Sequence, residues 1–271
     1  PVQLQDVDVL IAESTYGDRL HDNALNAREE LRDGIVRALG RGGKVLIPTF
    51  ALGRAQEIVY HLVQLRDRGE IPSVPVFVDS PMAQAIAGVF EKNTDYLDDE
   101  SHVLRGQVGS VVKPDWLTFT ESVEESKSIT SSKTSSIVIA ASGMCEHGRI
   151  LHHLKHGIEN EKNLILLVGY QAENTLGRRI QNNEKKVRIF GDEFALKAEV
   201  QTLHSFSAHA DRLELFRYAR DAKPKKVFLV HGEQSQRESF ARLLQEQLHL
   251  DVTLPANGEV VDLSSFLGPA P

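Results

Sequence analysis

The hydrophobic pattern of this chain changes period repeatedly along its 271 residues. Short apolar runs rich in β-branched residues read as strands over 7–12, 44–48, 74–78, 137–140, 164–168 and 226–230. Longer stretches with apolar residues three and four apart predict helices over 26–39, 53–66, 149–158, 175–180, 211–222 and 234–248, with another opening over 82–90. A strand covered on both faces is apolar at nearly every position. The alternation therefore predicts an α/β fold, a largely parallel sheet with helices on both faces. Such sheets hold their ligands beyond the carboxyl ends of the strands. Unusual residues fall at those ends: Pro48-Thr49, Asp79-Ser80, Ser142-Gly143-Met144, Gly169-Tyr170-Gln171 and His231-Gly232-Glu233. Asp79-Ser80 reads as a turn cap. The stretch 121–136 is rich in Ser, Lys and Glu without an apolar period, and reads as an irregular surface segment.

Composition narrows the class of partner. With 41% hydrophobic and 25% charged residues the chain has ample material for a core. Lys and Arg total 31 against 38 Asp and Glu, a formal net charge of −7, so a nucleic-acid ligand needs a local basic groove. One cysteine excludes an intrachain disulfide and a paired-cysteine zinc knuckle, and is consistent with a reducing, cytoplasmic setting. No apolar run approaches the ~20 residues that span a bilayer. No cationic segment leads into a hydrophobic stretch, so neither a membrane partner nor a signal peptide is expected. The chain begins at Pro1 and runs almost at once into a strand, which reads as a piece of something longer.

Three segments could carry chemistry together. They are Glu13-Ser14-Thr15-Tyr16-Gly17, the run from His204 to Asp211, and His231-Gly232-Glu233. Glu13 and His231 follow predicted strands. An imidazole there can bind a metal, and a carboxylate can set the tautomer and basicity of a second imidazole. Taken singly, each histidine reads more simply as a structural one bonded to a backbone carbonyl. Three groups with special flanking residues at strand ends favour a site. Ser142-Gly143-Met144 forms a strand-to-helix turn that could present amides to an anion, and Arg149 and Arg178 add planar forks suited to phosphate oxygens. Arg54 opens a helix and reads as a further groove cation. His152 and His156 lie four apart on a helix, but no acid sits between them in the metalloprotease arrangement, so 152–156 reads as a partly exposed helix face. Cys145 is expected to pack.

Glu13-Ser14-Thr15-Tyr16-Gly17-Asp18-Arg19, Ser207-Ala208-His209-Ala210-Asp211 and Val230-His231-Gly232-Glu233 resemble the signatures of the β-CASP family of metallo-β-lactamase-fold nucleases. The runs from Ser142 to Arg149 and from Gly169 to Arg178 look most like its RNA-processing branch, similar to the pre-mRNA 3′-end endonuclease and its archaeal and bacterial relatives. The resemblance implies a parallel-sheet β-CASP domain over 17–198, flanked by parts of a metallo-β-lactamase αββα domain over 1–16 and 199–271. It implies a zinc-dependent ribonuclease acting on single-stranded RNA, in processing or decay. Glu13 is then the acid and His209 the histidine that protonates the departing ribose oxygen. His231 is a ligand to one of two zinc ions, whose bridging hydroxide attacks phosphorus. Ser142, Gly143, Met144, Arg149 and Arg178 bind RNA phosphates. A homodimer is an admissible assembly.

The sequence departs from that pattern in one large respect. The family's His-x-His-x-Asp-His zinc motif occurs nowhere among the eleven histidines. The expectation is an incomplete zinc site, a missing N-terminal metallo-β-lactamase segment as partner, and no turnover by this chain alone. A catalytically inactive RNA-binding or scaffold member of the same family is the alternative. Asn174 stands where relatives commonly have glycine.

Overall fold

The computed structural model describes residues 2–20 and 27–267. The chain divides into two compact units, one formed by Pro1–His21 with Ser207–Pro271, the other by Asp22–Phe206. Strand β1 (Val9–Ala12) opens the first unit. The second unit follows with α1 (Ala27–Gly40), β2 (Val45–Pro48), α2 (Arg54–Asp67), β3 (Val76–Asp79), α3 (Pro81–Lys92), α4 (Asp99–Val108), β4 (Leu117–Phe119), α5 (Val123–Ser131) and β5 (Ile137–Ala140). It ends with α6 (Ile150–Gly157), β6 (Leu164–Val168), α7 (Leu176–Gln181), β7 (Lys186–Ile189), β8 (Asp192–Ala195) and β9 (Glu199–Leu203). The chain then returns to the first unit through α8 (Arg212–Ala222), β10 (Lys226–Leu229), α9 (Gln234–Leu248) and β11 (Asp251–Thr253). Among the described residues no helix is long and apolar enough to cross a membrane.

The second unit is built on a six-stranded sheet in the order β4-β3-β5-β2-β6-β9, with every neighbouring pair parallel. Strand side chains alternate between faces, and here each face has its own core. Val45, Ile47, Ile137, Ile139, Leu164 and Leu166 point to one side, where α1 and α2 supply Leu31, Ile35, Ile58 and Leu62. Leu46, Val138, Ala140, Ile165 and Leu167 point to the other, against Ile150 and Leu154 of α6 and Ile180 of α7. Strands β2, β5 and β6 are buried at every position, as two covered faces require. The first unit has a smaller parallel sheet, β1-β10-β11, in which Ala12 pairs with Leu229 and Phe228 with Thr253. Leu10, Val227, Leu229, Phe240 and Leu244 form its core.

One expectation changes here. The stretch 121–136 is not irregular throughout: α5 occupies Val123–Ser131, and Ser122 and Glu125 close a reciprocal cap at its start. Its composition hides the helix because Ser126 and Ile129 are its only buried side chains. The start of the first helix, expected at Asn26, lies outside the described residues. The antiparallel pair β7 and β8, joined through Phe190 and Gly191 at positive φ, was not visible as apolar alternation, because Lys186, Arg188, Asp192 and Glu193 occupy its open positions.

Candidate functional site

Strand β1 ends at Ala12, and the next residue, Glu13, aims its carboxylate at residues that lead into α8. Its Oε2 accepts hydrogen bonds from the Thr15 hydroxyl and from His209 Nδ1, each at 2.6 Å. Its Oε1 accepts from the Ala210 amide at 3.3 Å. Burial works to raise the pKa of this carboxyl, but the bonds from His209 and Thr15, the His209 charge and the Ala210 amide outweigh it and hold it at about 2. A carboxylate that acidic is purely an acceptor, so the bonded Nδ1 carries the hydrogen. The other ring nitrogen, Nε2, belongs to a side chain that is 37% exposed. The pair opens onto a groove of about 890 Å³ that Ile11, Leu215 and Tyr218 also line.

His231 follows β10 in the neighbouring strand of the same sheet. The rings of His209 and His231 stack with centroids 5.3 Å apart and planes 23° from parallel. Ser14 holds that register: its amide donates to the His231 carbonyl at 2.6 Å, and its hydroxyl donates to the same oxygen at 3.3 Å. A Cβ on Gly232 would lie 2.8 Å from Ser14 Oγ and 2.9 Å from Ser14 backbone, so only glycine lets the strand ends approach this closely. On the other side, Tyr16 is fully buried and bridges to Asp211. Asp211 caps α8 by accepting from the Leu213 and Glu214 amides at 2.8 and 2.9 Å. The residues picked out in the sequence at 13–17, 207–211 and 231–232 are thus one bonded cluster.

In the second unit the remaining candidates lie at the carboxyl edge of the six-stranded sheet. The Ser142 hydroxyl accepts from the Glu146 and His147 amides at 3.1 and 3.3 Å, closing the loop after β5 on itself. That loop is braced against α7: the Met144 carbonyl accepts from the Gly177 amide at 3.0 Å, and Gln171 Nε2 donates to the Gly143 carbonyl at 3.1 Å. The Gly143 and Met144 amides make no hydrogen bond among the described residues. A Cβ on Gly143 would stand 3.0 Å from Phe50, so the glycine leaves room for that residue. Arg178 donates Nε to the Gln171 carbonyl at 2.7 Å, and its guanidinium lies 5.4 Å from the Tyr170 ring centroid. Cys145 is buried, and burial pushes its thiol far above the usual range, which makes it a packing residue.

Arg149 is committed within the fold. Its Nη1 pairs with Asp79 Oδ1 at 2.7 Å, and its Nη2 donates to the Glu121 carbonyl at 2.9 Å. Asp79 is completely buried and also accepts from the Thr120 hydroxyl, from the Ser126 hydroxyl at 2.6 Å and from His153 Nε2 at 2.6 Å. Burial opposes ionisation, but the His153, Ser126, Thr120 and Arg149 bonds hold this carboxyl well below the usual range. The turn-cap reading applies to Ser80, whose hydroxyl accepts from the Ala83 amide, and not to Asp79. The exposed-face reading of 152–156 fits His152 and His156 but not His153, which is 3% exposed. Arg54 is paired with Glu57 and largely buried, so it is not an open groove cation. Sequence reasoning missed this hub. The signal for it was His153 lying three residues after Ile150 on the apolar stripe of α6.

The fit to a metal follows from the donors. Glu13 is occupied by three hydrogen bonds, and His209 uses Nδ1 on that carboxylate. Among the described residues no group of three or more His, Cys, Asp or Glu side chains is placed to hold a metal ion. A catalytic zinc takes three protein ligands, so the described residues do not make one.

Two family models match the chain. Residues 55–180 match the Beta-Casp domain, and residues 194–255 match the Zn-dependent metallo-hydrolase RNA specificity domain. The chain is 40% identical over 239 residues to Ribonuclease TTHA0252 of Thermus thermophilus, covering 88% of this chain and 54% of that protein. It is 32% identical over 263 residues to an RNase J-like protein of Methanocaldococcus jannaschii, covering 96% and 60% respectively. It is 35% identical over 270 residues to the transcription termination factor FttA of the same organism, covering 94% and 42%. The chain therefore spans about half the length of the curated relatives it matches. With both domains matched in order and a relative 40% identical over 88% of this sequence, the chain belongs to the β-CASP metallo-β-lactamase family.

Proposed function

We propose that this chain is part of a ribonuclease that hydrolyses phosphodiester bonds in single-stranded RNA, and that it supplies the proton-transfer half of the reaction centre. The observation that carries the reading is the 2.6 Å bond from His209 Nδ1 to Glu13, with His231 stacked alongside. Glu13 fixes the tautomer of His209 and stabilises its imidazolium, so Nε2 is the atom that gives a proton to the departing ribose oxygen. The relatives named as ribonuclease and as RNase J-like support RNA as the substrate class. The family model's description names zinc. In this reading His231 is one zinc ligand, and the other donors come from outside the described residues.

In domain terms, the reading assigns Asp22–Phe206 to the β-CASP cassette and the other unit to the metallo-β-lactamase part. The Ser142–Met144 loop and Arg178 form the phosphate track, because two unbonded amides and a guanidinium suit anionic oxygens. Arg149 serves that track by anchoring the loop to Asp79. The test is cleavage of a labelled single-stranded RNA by the whole protein and by its Glu13→Ala and His209→Ala variants. Both variants are expected to lose about 10²–10⁴ in turnover with RNA binding retained. Full activity in either variant overturns the assignment.

A further inference from the structure

We propose that a cavity at the amino edge of the six-stranded sheet binds a small phosphomonoester, apart from the loops at the carboxyl edge and independently of the nuclease reading. The cavity measures about 470 Å³, and its walls are the turn before β2, the segment after α5, the end of α6 and the turn before β6. Its lining includes Lys44, Lys133, Lys162, His153 and His156 and not one carboxylate. Leu46 is the one aliphatic side chain in it. A pocket of this size suits a small molecule, and this lining suits a polar anion in place of an apolar ligand.

Lys44 is the decisive residue. Its ammonium is half-buried, and burial lowers its pKa. It donates to the Ile129 carbonyl at 2.7 Å and more weakly to the Thr130 carbonyl at 3.5 Å. No carboxylate pairs with it among the described residues, and none pairs with Lys133 or Lys162. A desolvated cation without a counter-ion is costly, and a bound dianion removes that cost. The frame around it is rigid. The Lys44 amide donates to Asn163 Oδ1 at 2.8 Å, Asn163 Nδ2 donates to the Gly157 carbonyl at 2.9 Å, and Arg41 donates to the Lys162 carbonyl at 2.7 Å. A Cβ on Gly43 would lie 1.7 Å from that same carbonyl, so the two turns meet backbone to backbone. Three lysines lining one cavity that has no carboxylate match a terminal phosphate with two charges better than a chain of singly charged diesters.

The experiment is calorimetric titration of the chain with inorganic phosphate, adenosine 5′-monophosphate and adenosine at fixed ionic strength. The proposal expects saturable binding of phosphate and the nucleotide with Kd of about 1 mM or tighter, and none of adenosine. Lys44→Met is expected to weaken binding at least tenfold while the free chain melts no lower than before. Lys133→Gln with Lys162→Gln changes only exposed side chains and is expected to weaken binding to a similar degree. Absence of binding, equal affinity in both variants, or equal displacement by chloride overturns the proposal. Competition by a single-stranded RNA without terminal phosphates overturns it too, since the lysines then belong to an RNA path.

Discussion

Replacing Asp79 by alanine removes one buried carboxylate that accepts from four side chains. Arg149 is 20% exposed at its side chain and recovers water, whereas His153 and Ser126 are buried and do not. Each hydrogen bond to a charged group is worth about 1.5–3 kcal/mol, but bonds sharing one carboxylate are not additive. Breaking a buried ion pair from one side costs about 3–5 kcal/mol, which is the loss expected for Asp79→Ala. Trp116 is the single tryptophan and packs against the core of the second unit, so urea unfolding followed by its fluorescence reports that unit. Ser80→Ala, which removes only the α3 cap beside it, should cost about 1 kcal/mol. The sign with pH is definite. Asp79 is held well below its usual range, so its stabilisation is complete above about pH 5 and is lost as pH falls below the unfolded value of about 3.9. The gap between wild type and variant should therefore narrow from pH 7 to pH 3, by about 1 kcal/mol per unit below the unfolded value. A loss under about 1 kcal/mol at pH 7, or a gap that widens in acid, refutes the reasoning.

Gly232→Ala places a methyl against Ser14 and should cost about 1–3 kcal/mol by overpacking, with turnover falling as His231 moves from His209; unchanged stability and turnover contradict the close approach. Arg178→Ala should lower the log–log salt slope of RNA binding by about 0.7, the share of one phosphate on a single strand, and an unchanged slope removes Arg178 from the track. Glu13 titrates at about 2, so its hydrogen bonds to His209 and Thr15 contribute stability above about pH 4 that disappears as pH falls through about 2. Glu13→Ala should erase that acid-side slope, which acid titration of the two proteins compares.

Much of this was legible in the sequence, for identifiable reasons. The central strands are continuous apolar runs because both faces are covered, and β2, β5 and β6 appear within a residue of their expected bounds. Glu13, His209 and His231 stood out because each lies beside residues with strict local demands: Tyr16 buried, Gly232 without room for a side chain, Asp211 capping a helix. Asp79 carried only a turn-cap reading, because its partners come from two later stretches of the chain, 120–126 and 149–153. Neither propensity nor period encodes such a meeting. His153 was masked by its neighbours His152 and His156, which do face outward. The α5 capping box, Ser122 with Glu125, was present to be read, but a helix that buries so little carries almost no apolar period.

The proposed chemistry requires His209 as the proton donor to the leaving oxygen. The direct measurement is single-turnover cleavage by the whole protein on two RNAs, one ordinary and one with sulfur in place of the departing ribose oxygen. Sulfur leaves without protonation. His209→Ala should lose about 10²–10⁴ on the ordinary linkage and recover most of that loss on the sulfur linkage. Equal losses on both substrates would contradict the role given to the Glu13–His209 pair.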